Sequence, residues 1–206
     1  MGRHERWHHA IARCKWGSRH QSGGRKPFVI TLKTKRLILR PVTADDAADV
    51  FSYLSKPEVV RHMGLEPFTT VEEALEEIAW YDAIVRDGTG MRWGITLTGQ
   101  DEVIGSCGFL NVSSKHHRTE IGFELSSAYW GQGIAGEALE AVIRHGFVEL
   151  GFHRIEALIE PENKASQRLV ERHLFTREGL LRGYEYTRGN YDDLYMYSLL
   201  EHEMCT

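Results

Sequence analysis

Gly131-Gln132-Gly133-Ile134-Ala135-Gly136 sets three glycines in six residues directly ahead of an amphipathic stretch, and this constrains the chain more than any other feature. From Gly136 to Leu150, the residues Ala138, Leu139, Val142, Ile143, Phe147 and Leu150 recur at helical spacing, with Gly151 as the stop. Thr119 to Leu125 before the loop and His153 to Ile159 after the helix read as strands. Strand, helix and strand in that order make one crossover, right-handed by the usual rule, with its strands parallel. Small residues at the helix entry let main-chain N–H groups approach a ligand closely. The helix N-terminus adds partial positive charge, so the loop suits a pyrophosphate.

Everything around the crossover reads as antiparallel. Lys35 to Arg40 alternates and meets Pro41, as a strand ending in proline does. Thr43 with Asp46 is an N-cap pattern ahead of Ala47, Val50, Phe51 and Leu54. Thr70 with Glu73 is a capping box opening a helix that ends at Gly88. Strand-like runs follow at Arg92–Thr98 and Val103–Val112, joined by a turn at Gly99-Gln100-Asp101. Asn163 caps a short helix, and Phe175–Tyr186 with Tyr191–Leu200 form a closing hairpin. The order β-α-α-β-β-β-α-β-α-β-β predicts an α+β fold: a mixed, mostly antiparallel sheet with helices on both faces.

A length of 206 residues suits one domain. Charge divides the chain unevenly. Residues 1–28 hold seven Lys/Arg against one acid, whereas the whole chain has 25 Lys+Arg against 29 Asp+Glu. The leader 1–28 is expected to be a disordered or non-native tail, leaving 29–206 as a single folded domain. That acidic body argues against nucleic acid as a partner and favours cationic, amine-bearing ones. No apolar run approaches the length of a membrane span. Cys14, Cys107 and Cys205 lie far apart in odd number, as free thiols of a cytoplasmic protein would.

Read literally, Gly131-x-Gly133-x-x-Gly136 is also a dinucleotide fingerprint, and Glu156 stands 20 residues beyond it to take a ribose hydroxyl. An oxidoreductase is therefore one alternative. Against it, Ser126 to Trp130 separate the fingerprint from its strand, and the chain lacks the further strand–helix units of a doubly wound sheet.

Thr119-Glu120-Ile121-Gly122-Phe123-Glu124-Leu125, followed by Tyr129-Trp130-Gly131-Gln132-Gly133-Ile134-Ala135-Gly136-Glu137, resembles the acyl-CoA-binding motif of the GNAT superfamily of N-acetyltransferases. Arg36 to Pro41, Pro161-Glu162-Asn163-Lys164-Ala165-Ser166 and Gly189-Asn190-Tyr191-Asp192-Asp193 are similar to the RimJ/RimL branch, whose named members acetylate protein N-termini. The match spans roughly residues 30–200. Two places depart from the branch: it usually has Thr where Gly136 stands, and Xaa-Gly-Phe where His173-Leu174-Phe175 stands. The second is expected to matter only for packing.

The resemblance implies the GNAT fold, acetyl-CoA as cosubstrate and direct attack by an amine in a ternary complex. It assigns Gln132, Gly133, Ile134, Ala135 and Gly136 to the pyrophosphate. The splayed strand at Phe123, Glu124 and Leu125 falls to the pantetheine arm, and Asn163 to a cofactor contact beside its capping role. Glu185 and Glu120 are the candidate bases, because an amine must shed a proton before it attacks. Ser166 is the candidate acid for the leaving thiolate, with Tyr184 and Tyr186 as fallback donors. Cys107 has no evident His partner, which argues against a covalent intermediate. His116 and His117 are adjacent on a predicted strand and chelate poorly, so no metal is expected. Acceptors in keeping with these residues are a protein N-terminus, a polyamine, an amino acid or an aminoglycoside. The contrasting hypothesis is a non-catalytic CoA-binding sensor. A monomer or homodimer is expected, the latter through an exposed final strand, Tyr195 to Leu200.

Overall fold

The computed structural model describes residues 30–204; the basic leader, Cys14 and Cys205 lie outside the described residues. The chain begins with β1 (Leu32–Lys33), β2 (Leu37–Arg40), α1 (Ala47–Leu54), α2 (Pro57–Val60) and α3 (Val71–Asp87). It continues through β3 (Met91–Leu97), β4 (Gly105–Ser113), β5 (Arg118–Leu125) and α4 (Ile134–Val148). It closes with β6 (Arg154–Ile159), α5 (Lys164–Arg172), β7 (Thr176–Thr187) and β8 (Asn190–Leu200). The strands form one sheet in the order β1-β2-β3-β4-β5-β6-β8-β7. Only β5 and β6 run parallel, as the single crossover requires; the other neighbours are antiparallel.

Helices cover both faces, each with its own core. On one face α4 buries Ile134, Ala138, Leu139, Val142, Ile143 and Phe147 against Trp93, Phe109, Ile121 and Ile155. On the other, α1 and α3 bury Val50, Tyr53, Leu54, Ala74 and Ile78 with Val42 and Val103. Each such Val, Leu, Ile or Phe side chain contributes roughly 1.5–3 kcal/mol of burial. The capping box forms as expected: the Glu73 carboxylate accepts the N–H groups of Thr69 (2.5 Å) and Thr70 (3.3 Å), and α3 starts at Val71. No described helix is long and apolar enough to cross a membrane.

Three expectations need correction. The crossover helix spans Ile134–Val148 and not 136–150, because Gly133 (φ 74°) is its N-cap and Ile134 already packs in the core. The final strand is no free edge: β8 lies between β6 and β7, and the exposed edge is β7. His116 and His117 sit on the turn between β4 and β5 and not on a strand.

The departure at Leu174 reaches the backbone as well as the packing. After α5, Phe175 N donates to Val170 O (3.1 Å) and Leu174 N to Glu171 O (3.2 Å), the paired bonds of a glycine-terminated helix. Leu174 thus holds a left-handed φ of 68° while its side chain is 54% exposed. A β-carbon there costs roughly 1–2 kcal/mol. Leu174→Gly is accordingly expected to stabilise the fold by about 1 kcal/mol, seen as a higher midpoint in denaturant at unchanged slope. An unchanged or lowered midpoint would rule the strain out.

Candidate active site

The β5–β6 pairing is short. It joins Arg118 to Arg154, Thr119 to Ile155 and Glu120 to Glu156, then stops. Past that point the two strands diverge, and residues 121–125 have no strand partner on the β6 side. The opening is part of a cleft of about 2760 Å³ that runs from the loop, across the splay, to the flank of α3 bearing Glu73, Glu77 and Trp80.

One end of the cleft is built for anions. Gly131 (φ 75°) and Gly133 (φ 74°) take left-handed conformations that L side chains resist, turning the chain into α4. Arg36 fixes the loop from outside: its Nη1 donates to Gln132 O (2.9 Å), while its Nε and main-chain N hold both oxygens of Glu137 (2.6 and 2.8 Å). Thr34 Oγ1 donates to the same carboxylate (2.5 Å). With the Gln132 carbonyl drawn outward, the first N–H groups of α4 are left for a ligand. Gln132 itself donates from Nε2 to Ala128 O (3.1 Å) and gives its carbonyl to Arg36, so it braces the loop and, unlike Gly131, Gly133, Ile134, Ala135 and Gly136, does not line the cleft. Lys164, Arg168 and Arg172, one helix face of α5 at i, i+4, i+8, line the same end. Those cations and Arg36 escaped the sequence reading, although the 164/168/172 spacing on a capped helix was a visible signal.

The departure at Gly136 has a structural counterpart. A β-carbon there would stand 3.1 Å from Cε1 of His173, whose Nδ1 lies 2.9 Å from Leu169 O. The two positions at which the chain departs from the branch thus meet in space, His173 occupying room that a side chain at 136 would need.

At the apex of the splay stands Glu120. Burial, reinforced by the negative charges of Glu185 and Glu156, pushes its carboxyl up to about 7, against the opposing hydrogen bond from Asn111 Nδ2 (2.9 Å). Asn111 sits at an irregularity of β4 with φ 51°, which aims its amide at Glu120. Glu185 on β7 and Tyr184 line the same cleft. Burial and the surrounding acids raise the Tyr184 hydroxyl, which makes it a weaker proton donor than an ordinary tyrosine. Tyr186, the other fallback donor, is exposed and packs on Tyr191 (4.9 Å).

The remaining candidates divide clearly. Asn163 caps α5, its Oδ1 accepting from Ser166 N (3.1 Å), and both residues line the cleft. Phe123 and Leu125 also line it, but the Leu125 carbonyl is taken by Trp130 Nε1 (2.8 Å). The Glu124 carboxylate is committed inward, to Arg92 and the Ser106 hydroxyl, so its main chain alone faces the splay. Burial pushes the Cys107 thiol up to about 12, and the side chain is fully enclosed in the sheet, which leaves no nucleophile there. Among the described residues no three His, Cys, Asp or Glu side chains gather as a metal site.

The dinucleotide alternative does not survive this geometry. The sheet has one parallel pair where a doubly wound fold needs several. Glu156, the supposed ribose ligand, is held by Arg118 (2.7 Å) and Arg154 (2.7 Å).

Comparison with known proteins agrees. The family described as "Acetyltransferase (GNAT) domain" matches residues 36–176. An uncharacterized N-acetyltransferase, p20, of Bacillus licheniformis is 42% identical over 173 residues, covering 84% of this chain and 97% of that one. More distantly, the [ribosomal protein uS5]-alanine N-acetyltransferase of Escherichia coli is 28% identical over 173 residues, covering 80% and 87%. Among solved structures, a GNAT-family acetyltransferase from Bacillus anthracis superimposes with a TM-score of 0.75 at 27% identity, covering 84% of this chain and all of that one.

Proposed function

The chain belongs to the GNAT acetyltransferase family, and we propose that it moves an acetyl group from acetyl-CoA to a primary amine by direct attack in a ternary complex, with Glu120 as the base. The preferred acceptor is a protein N-terminal α-amine or a small-molecule amine, in the manner of the RimJ/RimL branch, acting in the cytoplasm. The likeness to a ribosomal-protein alanine acetyltransferase supports that branch.

The observation that carries this reading is Glu120 at the apex of the splay with its carboxyl near neutrality. An α-amine with an ordinary pKa near 8 delivers its proton efficiently to a base so placed, directly or through one water. The cradle fits the cosubstrate. The left-handed loop, the α4 N-terminus and the cations of α5 suit a pyrophosphate, and the unpaired edge of β5 suits an amide-bearing arm. Bound there, acetyl-CoA supplies an acetyl group activated as a thioester. This chain's part is to orient it, to offer main-chain N–H groups to the carbonyl oxygen as negative charge develops, and to take the amine proton on Glu120. Ser166, in the first turn of α5 and lining the cleft, is the donor assigned to the departing sulfur in this reading. Glu185 assists by holding the Glu120 pKa high and by drawing a cationic amine into the cleft.

Thermal unfolding with excess acetyl-CoA, followed by an amine panel with thiol detection, tests the reading. Saturating acetyl-CoA at 100 times its Kd is expected to add about 2.7 kcal/mol of stability, and at least one amine should release free CoA. A shift with NADH and none with acetyl-CoA would refute it.

A further inference from the structure

Arg92 is the most deeply buried cation of the described chain that the mechanism above leaves without a task. It is 6% exposed, on β3, at the α3 face of the sheet, with its guanidinium carbon 5.4 Å from the Tyr81 ring centre. Its Nε and Nη2 donate to Ser106 Oγ (2.9 and 2.6 Å), and Nη2 also reaches the Glu124 carboxylate. Nη1 makes none of these bonds. The strand register shows where it goes. Arg92 pairs with Gly108 on β4, and Gly108 pairs with Gly122 on β5, so the two glycines open a trough across two strands. A β-carbon at Gly108 would stand 2.9 Å from Arg92 Cγ, and one at Gly122 3.0 Å from Nη1. The side chain therefore lies across β4 and delivers Nη1 onto β5, on the cleft wall that Arg92 and Gly122 both line. Glu120 is two residues along the same strand, hence on the same face and roughly 7 Å away between α-carbons.

We propose that Arg92 Nη1 is the specificity determinant for the acceptor, hydrogen-bonding the oxygen of a neutral carbonyl group attached to the amine-bearing carbon. The inference rests on the acetyltransferase reading and deepens it. A guanidinium donor that opens into the cleft from a buried side chain discriminates strongly, because an acceptor that displaces its water but lacks the matching oxygen leaves it unpaired. The oxygen is a neutral carbonyl and not a carboxylate. The Arg92 charge is already balanced by Glu124, the charge of Glu77 on α3 also acts on it, and Glu120 and Glu185 line the same cleft, so a second anion would meet net repulsion. The class selected is an α-amino amide, such as the first residue of a peptide. Free amino acids are disfavoured by charge, and polyamines by the missing oxygen.

The test compares L-alaninamide, L-alanine and 2-aminobutane as acceptors for the full chain, by thiol release at saturating acetyl-CoA, with rates corrected to unprotonated amine. Alaninamide is expected to exceed each of the others by roughly 10- to 100-fold in kcat/KM. Arg92→Lys keeps a cation beside Glu124 but has no second fork, and should collapse the preference over 2-aminobutane toward 1. Gly122→Ala keeps Arg92 and displaces Nη1, and should reduce the preference in the same direction. Equal use of alaninamide and 2-aminobutane by the unaltered chain would overturn the proposal, as would a preference that survives both substitutions. If no amine releases thiol, the acetyltransferase reading fails instead. Calorimetric binding of alaninamide and 2-aminobutane to the CoA-loaded protein then decides the proposal alone: selective alaninamide binding lost in Arg92→Lys supports it, and indifferent binding overturns it.

Discussion

Glu120→Gln is expected to lower kcat/KM by about 10²- to 10⁴-fold at pH 7.5 and, at the same pH, to make the fold more stable. Both effects have one cause. The carboxyl is held near 7 by burial and by Glu185 and Glu156, so the folded chain favours its protonated form. Its contribution to stability is therefore fully present below the ordinary carboxyl range, near 4.5, and is lost as pH rises toward about 7. Above that pH the native protein holds a charge it would shed on unfolding, whereas glutamine carries none. The side chain borders an open cleft, so the gain is discounted to about 1–3 kcal/mol. Urea unfolding at pH 5 and pH 8 checks this: the two proteins should nearly coincide at pH 5 and separate at pH 8, the variant the more stable. The acidic limb of kcat/KM near pH 7, which belongs to the Glu120–Glu185–Glu156 cluster as a unit, should vanish with it. A variant with normal turnover would remove Glu120 from the mechanism.

The second large effect lies one layer deeper. Glu124→Ala is expected to destabilise the fold by about 3–5 kcal/mol, since it strands the buried Arg92 guanidinium without its ion-pair partner. Ser106 accepts from Arg92 but cannot neutralise it. The double replacement Arg92→Met with Glu124→Leu removes both charges and should recover most of that loss. A denaturant-based double-mutant cycle over the four proteins measures the coupling. Additive losses would mean that the pair does not act as a pair.

Much of the scaffold was legible because its signals are local. The Thr70–Glu73 capping box, the 3.6-residue stripe of α4 and the Asn163 cap each act within one turn, and each was found in place. Helix α4 began two residues early because Gly133, and not Gly136, supplies the left-handed cap, and both glycines look alike in sequence. What stayed hidden depends on strand order and register. The place of β8 between β6 and β7 follows from which strand the hairpin presents to β6, which no periodicity records. Arg92 in Met91–Leu97 reads as an ordinary polar interruption, and only the alignment of Gly108 with Gly122 reveals its route. The aim of Asn111 depends on an irregularity between Leu110 and Ser113. Glu120 and Glu185 were both named as candidate bases, but their order of importance required the burial and mutual repulsion seen in the fold.

The short β5–β6 seam also divides the molecule's cooperativity. Along the seam itself only three paired positions and the ion pair of Arg118 with Glu156 join the β1–β5 half to the β6–β8 half, helped by the packing of α4 on one face and by the His62–Glu160 and Arg188–Arg61 contacts at the rim. A sheet interrupted in this way opens in parts before it unfolds as a whole, so amide hydrogens of β6, β7 and β8 should exchange ahead of those in β3 and β4. A ligand that fills the gap between the strands supplies the missing rungs and should slow exchange on both sides together. The catalytic opening is thus also the shortest seam inside the sheet, only the edge pairing of β1 with β2 being shorter.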